Sequence, residues 1–205
     1  MALLFVRHGS SVLNAGDPAD PRDMFRGWSL VPLSDFGRKT VAQTADWFRQ
    51  IPLQGIVSSD LPRAAETANM ISQSTGVPVT LDQRLRPLNV GQLTGQVITP
   101  ELKKILEGAH HNKDMPIPGG ETYNNFIQRY AGILPELLQA SQQGNIAVVT
   151  HHRNLLAIPH IFFGQEAKSK GPPDPGGIMA LTQKGLYPMF TPPASTSAYK
   201  EHAVS

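Results

Sequence analysis

Three short stretches of the chain carry residue types suited to an anionic substrate. Arg7 and His8 follow the apolar run Leu3-Leu4-Phe5-Val6 and precede Gly9. Arg63 follows Gly55-Ile56-Val57-Ser58 by a few residues, and His151 follows Ile146-Ala147-Val148-Val149-Thr150. A cation and an imidazole side by side favour a negatively charged ligand. Gly9 predicts a sharp turn that brings the backbone close to that ligand.

The apolar runs that precede these residues read as strands buried on both faces, as in a parallel sheet covered by helices. In open α/β sheets the ligand crevice lies beyond the carboxyl ends of the strands. The reactive types therefore sit where such a sheet would place them. Ser34 can cap a helix through about Gln50, with Val41, Ala45 and Phe48 at helical spacing. Ser59 or Asp60 can cap a second helix, with Pro62 in its first turn, where a missing N–H costs nothing. Arg63 falls in that same turn, where free N–H groups and the helix dipole already favour phosphate. Val77 to Leu81 reads as an edge strand because of Pro78. Thr99-Pro100 starts a short helix through Glu107. A helical face runs from 121 to about 142, and Pro135 should kink or divide it. A further helix is expected from Asn154 to Phe163, a last core strand over Ile178–Thr182 and a short edge strand over Tyr187–Phe190. Loops are expected at 10–33, 84–95, 110–120 and 168–177. Strands alternating with helices imply an α/β three-layer sandwich, a mostly parallel central sheet flanked by helices.

The chain has 205 residues, 40% of them hydrophobic, which suits one domain with a sizeable core, here 1–190 with a Pro/Ser/Thr-rich tail at 191–205. Charged residues make up 17% and the net charge is +2, with no run of Lys or Arg, so neither nucleic acid nor a membrane surface is expected as a partner. Cysteine is absent, which excludes disulfides and thiolate chemistry and permits a reducing cytoplasm, the expected location. The N-terminal apolar stretch is too short to span a membrane and lacks the basic start of a signal peptide.

Taken in order, the motifs resemble the histidine phosphatase superfamily, the phosphoglycerate-mutase-like enzymes. The matching residues are Arg7-His8-Gly9 with Asn14, Gly27 and Pro32-Leu33-Ser34 with Gly37, and Ser59-Asp60-Leu61 with Arg63-Ala64 and Thr67-Ala68. Leu85 with Gly91 and Gly95, Pro118-Gly119-Gly120-Glu121 and Val148-Val149-Thr150-His151 complete the series, over about residues 2 to 182. The resemblance implies a phosphatase in which His8 is the nucleophile and forms a phosphohistidine that water hydrolyses. Dividing one hard displacement into two easier ones is the use of covalent catalysis. Arg7 and Arg63 would hold the phosphoryl oxygens through planar forks, with Asn14 and His151 as further donors. Neither metal nor cofactor is implied. The expected substrate is a small phosphorylated molecule or a phosphoprotein.

One departure bears on activity. Members of the family usually carry a glutamate, the acid that protonates the leaving alcohol, where this chain has Pro87 in Leu85-Arg86-Pro87-Leu88. There is no Asp or Glu between Asp82 and Glu101. General-acid help is worth about 10²- to 10⁴-fold in rate, so ordinary alkyl phosphates should suffer most and aryl phosphates, anhydrides and phosphohistidines least. Three explanations follow: an acid relocated to Asp17, Asp20, Asp23, Glu101 or Glu121; a substrate that needs none; or a module that binds phosphate compounds without useful turnover. A phosphoglycerate mutase is the weaker alternative, because returning the phosphoryl group to a second hydroxyl demands a well-placed acid/base. His152 stands where the family has glycine; it could donate to the substrate or supply the missing proton, but it reads first as a partly exposed bystander. Asp60 and Glu121 read as groups serving helix N-termini, and His110 and His111 as loop residues rather than metal ligands.

Overall fold

The computed structural model describes residues 1–13, 23–164 and 172–193. Six strands form one sheet in the order β3-β2-β4-β1-β5-β6. They are β1 (Leu3–Arg7), β2 (Leu53–Ser58), β3 (Val79–Leu81), β4 (Asn145–Thr150), β5 (Ile178–Thr182) and β6 (Gly185–Phe190). The β1–β4, β2–β4 and β2–β3 pairs are parallel, and β5 runs antiparallel to both β1 and β6. The helices are α1 (Asp35–Phe48), α2 (Pro62–Thr75), α3 (Pro100–His111), α4 (Tyr123–Ala131), α5 (Leu134–Ser141) and α6 (His152–Phe163). No described helix is long and apolar enough to cross a membrane.

Alternation along β1 separates the two cores. Leu4 and Val6 pack with Ala45 and Phe48 of α1 and Ala64, Ala68 and Ile71 of α2. Leu3 and Phe5 face the other way, into a core built with Phe126, Tyr130, Leu134, Leu137 and Ile158 of α4, α5 and α6. Both faces of the central strands are covered, which is why β1 and β4 read as unbroken apolar runs. The expected three-layer α/β sandwich is the observed architecture. Pro135 divides the predicted long helix into α4 and α5 and sits in the first turn of α5, where proline is tolerated.

Several local expectations are corrected. The α2 helix is capped by neither Ser59 nor Asp60: its N-cap is Leu61, with no side-chain cap. Asp60 instead pairs with Arg86, and Ser59 bonds His151. His110 and His111 belong to the last turn of α3 rather than to a loop. The α6 helix starts at His152, two residues before the expected Asn154. Gly9 has no positive φ. A Cβ there would fall 2.5 Å from Val41 Cγ2, so its glycine serves the close approach of α1 rather than a turn toward ligand. Most of the tail, 194–205, lies outside the described residues.

Candidate active site

Strand register brings the reactive residues together. In the β1–β4 ladder Arg7 is opposite Thr150, and the next hydrogen bond, His8 N–H to Thr150 O at 3.0 Å, extends the pairing past the strand ends. His8 and His151 are therefore neighbours. Their rings meet edge to face, centroids 4.9 Å apart. On the other side of β4, Ser59 N–H donates to Val149 O at 3.0 Å, and the Ser59 hydroxyl meets His151 Nε2 at 2.9 Å. The chain then enters α2, which places Arg63 in the same crevice. Arg7, His8, Arg63 and His151 all line one cavity of about 590 Å³ at the carboxyl ends of β1, β2 and β4, as the switch-point rule for α/β sheets expects. Asn14, Asp17 and Asp20 lie outside the described residues.

The supporting contacts explain much of the motif series. Ser34 Oγ caps α1 by accepting from Gly37 N at 3.0 Å, and Ser34 N–H donates to Ser10 O. A Cβ on Gly37 would fall 2.0 Å from that same oxygen. The start of α1 is thereby docked on the segment following His8. Thr67 Oγ1 accepts from Gly9 N–H and donates to Arg63 O, fixing α2 to the same segment. Arg7 donates to Pro173 O at 3.1 Å, and its backbone bonds Gly176 and Gly177, which seats the 172–177 turn beside the cavity.

His8 Nδ1 lies 2.7 Å from Gly9 O. A carbonyl can only accept, so Nδ1 carries the proton and Nε2 keeps its lone pair. Burial, with Arg63 and Arg7 nearby, holds the His8 pKa well below the usual imidazole value. Burial and Arg63 do the same to His151. Both rings are neutral bases at neutral pH. Arg63 is 1% exposed. It donates to Ser29 O at 2.9 Å and Gly27 O at 2.8 Å. It has no carboxylate partner among the described residues, and burial together with Arg26 pushes its pKa down to about 9. Arg63 Nε and His151 Nδ1 are buried with no hydrogen-bond partner among the described residues.

Pro87 lines the cavity. Its carbonyl accepts from Trp28 Nε1 at 2.8 Å and from Arg129 at 3.1 Å. Glu121 does not cap its helix; Thr122 does. Glu121 instead pairs with Arg129 at 2.7 Å and accepts from Asn89 N–H at 2.8 Å, bracing the 84–91 segment from behind. Glu101 is exposed in the first turn of α3. Of the carboxylates proposed from sequence and described, only Asp23 reaches the cavity wall, where it pairs with Arg26 at 3.2 Å.

His152 is partly exposed, as expected, and lines the cavity, and burial lowers its pKa to about 3. It is neutral at ordinary pH and holds no proton to give as an imidazolium. Sequence reading missed Arg26, Lys103, Arg153 and Asp174, all on the same wall. Arg153 was within reach of the argument used for Arg63, a cation in the first turn of a helix leaving a strand end. Starting α6 at Asn154 hid it.

The chain matches the model of the histidine phosphatase superfamily (branch 1) over residues 3–181. A probable phosphoglycerate mutase GpmB from Salmonella choleraesuis is 31% identical over 156 residues, covering 74% of this chain and 69% of the relative. Among solved structures, a mycobacterial glucosyl-3-phosphoglycerate phosphatase superposes with TM-score 0.73 at 22% identity, over 93% of this chain and 98% of that one. A phosphoglycerate mutase from Bacillus anthracis gives TM-score 0.71 at 18% identity, over 97% and 94%. The family match over nearly the whole described fold, with His8, His151, Arg7 and Arg63 gathered in one cavity, makes this chain a member of the histidine phosphatase superfamily.

Proposed function

We propose that the protein is a metal-independent phosphatase of small phosphomonoesters or phosphoproteins that works through phosphorylated His8. One observation carries this reading: His8, with Nδ1 tied to Gly9 O and Nε2 a free base, stands against His151 in a cavity walled by Arg7 and Arg63. The Nε2 lone pair forms a P–N bond as the P–O bond to the leaving group breaks, and the leaving oxygen keeps the electron pair. Water then attacks phosphorus and the P–N pair returns to Nε2. One water proton stays on the phosphate and the other ends on the released oxyanion. Arg7 and Arg63 neutralise the equatorial oxygens. Phosphoryl transfer asks mainly for such positioning and charge. With Pro87 on the wall and no acid in the neighbouring segment, good leaving groups are the favoured substrates. A cytoplasmic location belongs to the same proposal and is supported by sequence alone.

The test is hydrolysis of p-nitrophenyl phosphate with EDTA present, by the native protein and by His8→Ala. Turnover that resists EDTA and disappears in the variant supports the reading. Equal rates in the two proteins would leave a phosphate-binding module, the reading that Pro87 favours. The name of the Salmonella relative favours a mutase; that reading requires interconversion of phosphoglycerates faster than release of phosphate.

A further inference from the structure

The cavity wall carries more positive charge than one phosphoryl group uses. Arg7 and Arg63 flank the two histidines, and Arg26 is paired with Asp23. Two further cations stand against one further carboxylate, Asp174. Arg153 lies in the first turn of α6, two residues beyond His151, and is mostly buried. Lys103 is exposed on α3, at the mouth. Neither side chain has a hydrogen bond or an ion pair among the described residues. The α6 N-terminus beside Arg153 has no side-chain cap, so its first N–H groups add to the positive field.

Much of the remaining wall is apolar, with Met24, Phe25, Leu88, Val90, Ile98 and Leu106 alongside His152 and Asp174. Sugar or glycerate hydroxyls set against these side chains would lose water without gaining partners, which is costly. A flat ring would not. An aryl oxygen also departs without protonation more readily than an alkyl one, which fits a wall that has Pro87 where an acid would stand.

We propose that the cavity takes aryl phosphomonoesters bearing a second anionic group, with the phosphoryl group between Arg7 and Arg63, the ring on the apolar wall and the second anion on Lys103 and Arg153. The proposal rests on the phosphatase reading for its chemistry, but binding alone can test it. The probes are 4-(phosphonomethyl)benzoate and its carboxamide, which cannot be hydrolysed and differ in one charge. By titration calorimetry with the full chain, the carboxylate should bind about tenfold more tightly than the amide, the size expected of one charge-assisted contact. In Lys103→Met/Arg153→Met, which keeps the apolar stems, that ratio should collapse toward one. Equal binding of acid and amide by the native protein overturns the proposal, and so does a preference that survives the double substitution. Should the double variant fail to fold, the native comparison still decides. Loss of the phosphatase reading would show separately, as absent turnover of 4-carboxyphenyl phosphate with the binding preference intact.

Discussion

Arg63 and Arg129 do the same thing to the backbone and differ in what balances their charge. Each holds a loop over the cavity by its carbonyl oxygens: Arg63 through Gly27 and Ser29, Arg129 through Arg84, Arg86 and Pro87. Arg129 is paired with Glu121, both about four-fifths buried. Arg63 is almost wholly buried and meets no carboxylate among the described residues. An uncompensated buried charge is expensive, so a fold that keeps one leaves it for a ligand. In the proposed mechanism the paired arginine serves the architecture and the unpaired one the chemistry.

The largest effect that could break this contrast is kinetic. Arg63→Met should lower kcat/KM for aryl phosphates by about 10³-fold, the scale of losing a transition-state charge partner, whereas Arg129→Met should cost under about tenfold. Steady-state kinetics on both variants decides it; similar losses would erase the distinction. Next comes linkage to ligand. Inorganic phosphate at a hundred times its Kd should stabilise the native protein by about 2.7 kcal/mol and the Arg63→Met protein much less. Thermal melts with and without phosphate measure this.

Stability reverses the order of the two arginines. Arg129→Met takes one donor group away from Glu121 and from the carbonyls of Gln83, Arg84, Arg86 and Pro87, and should cost about 2 kcal/mol in denaturant unfolding. Arg63→Met in phosphate-free buffer should change stability by less than about 1 kcal/mol, because lost hydrogen bonds are offset by removal of a buried charge.

The last contrast is with the buried imidazoles, through pH dependence. His8, His151 and His152 have folded pKa values below that of an unfolded imidazole. Protons therefore favour the unfolded chain. Their contribution to stability is complete above about pH 6.5 and falls as the pH drops, by about 1.4 kcal/mol per pH unit for each imidazole. Unfolding midpoints in mildly acidic buffers should show a shallower slope for His152→Asn by one imidazole's share.

The core of the site was legible because it depends on strand ends. Apolar runs that stop at Arg7-His8 and at Thr150-His151 become adjacent as soon as β1 and β4 pair in parallel, and Arg63 needs only the helix that follows β2. What stayed hidden depends on partners distant in sequence. Glu121 looked like a helix cap until Arg129 and Asn89 were seen to claim it. Asp60 looked like another until Arg86 met it. Gly9 suggested a turn by type, and only the packing of α1 shows that its missing Cβ makes room for Val41. Lys103 carried no such signal, since only the fold brings α3 to the cavity that Arg153 of α6 also lines.

The central claim is that His8 takes the phosphoryl group. Mixing the protein with excess p-nitrophenyl phosphate, quenching in alkali within the first turnovers and mapping peptides by mass spectrometry tests it directly. The account predicts a phosphoryl group on the peptide containing His8, acid-labile and absent from His8→Ala. Rapid turnover with no modified histidine, or a phosphoryl group on His151 or His152 instead, would contradict it.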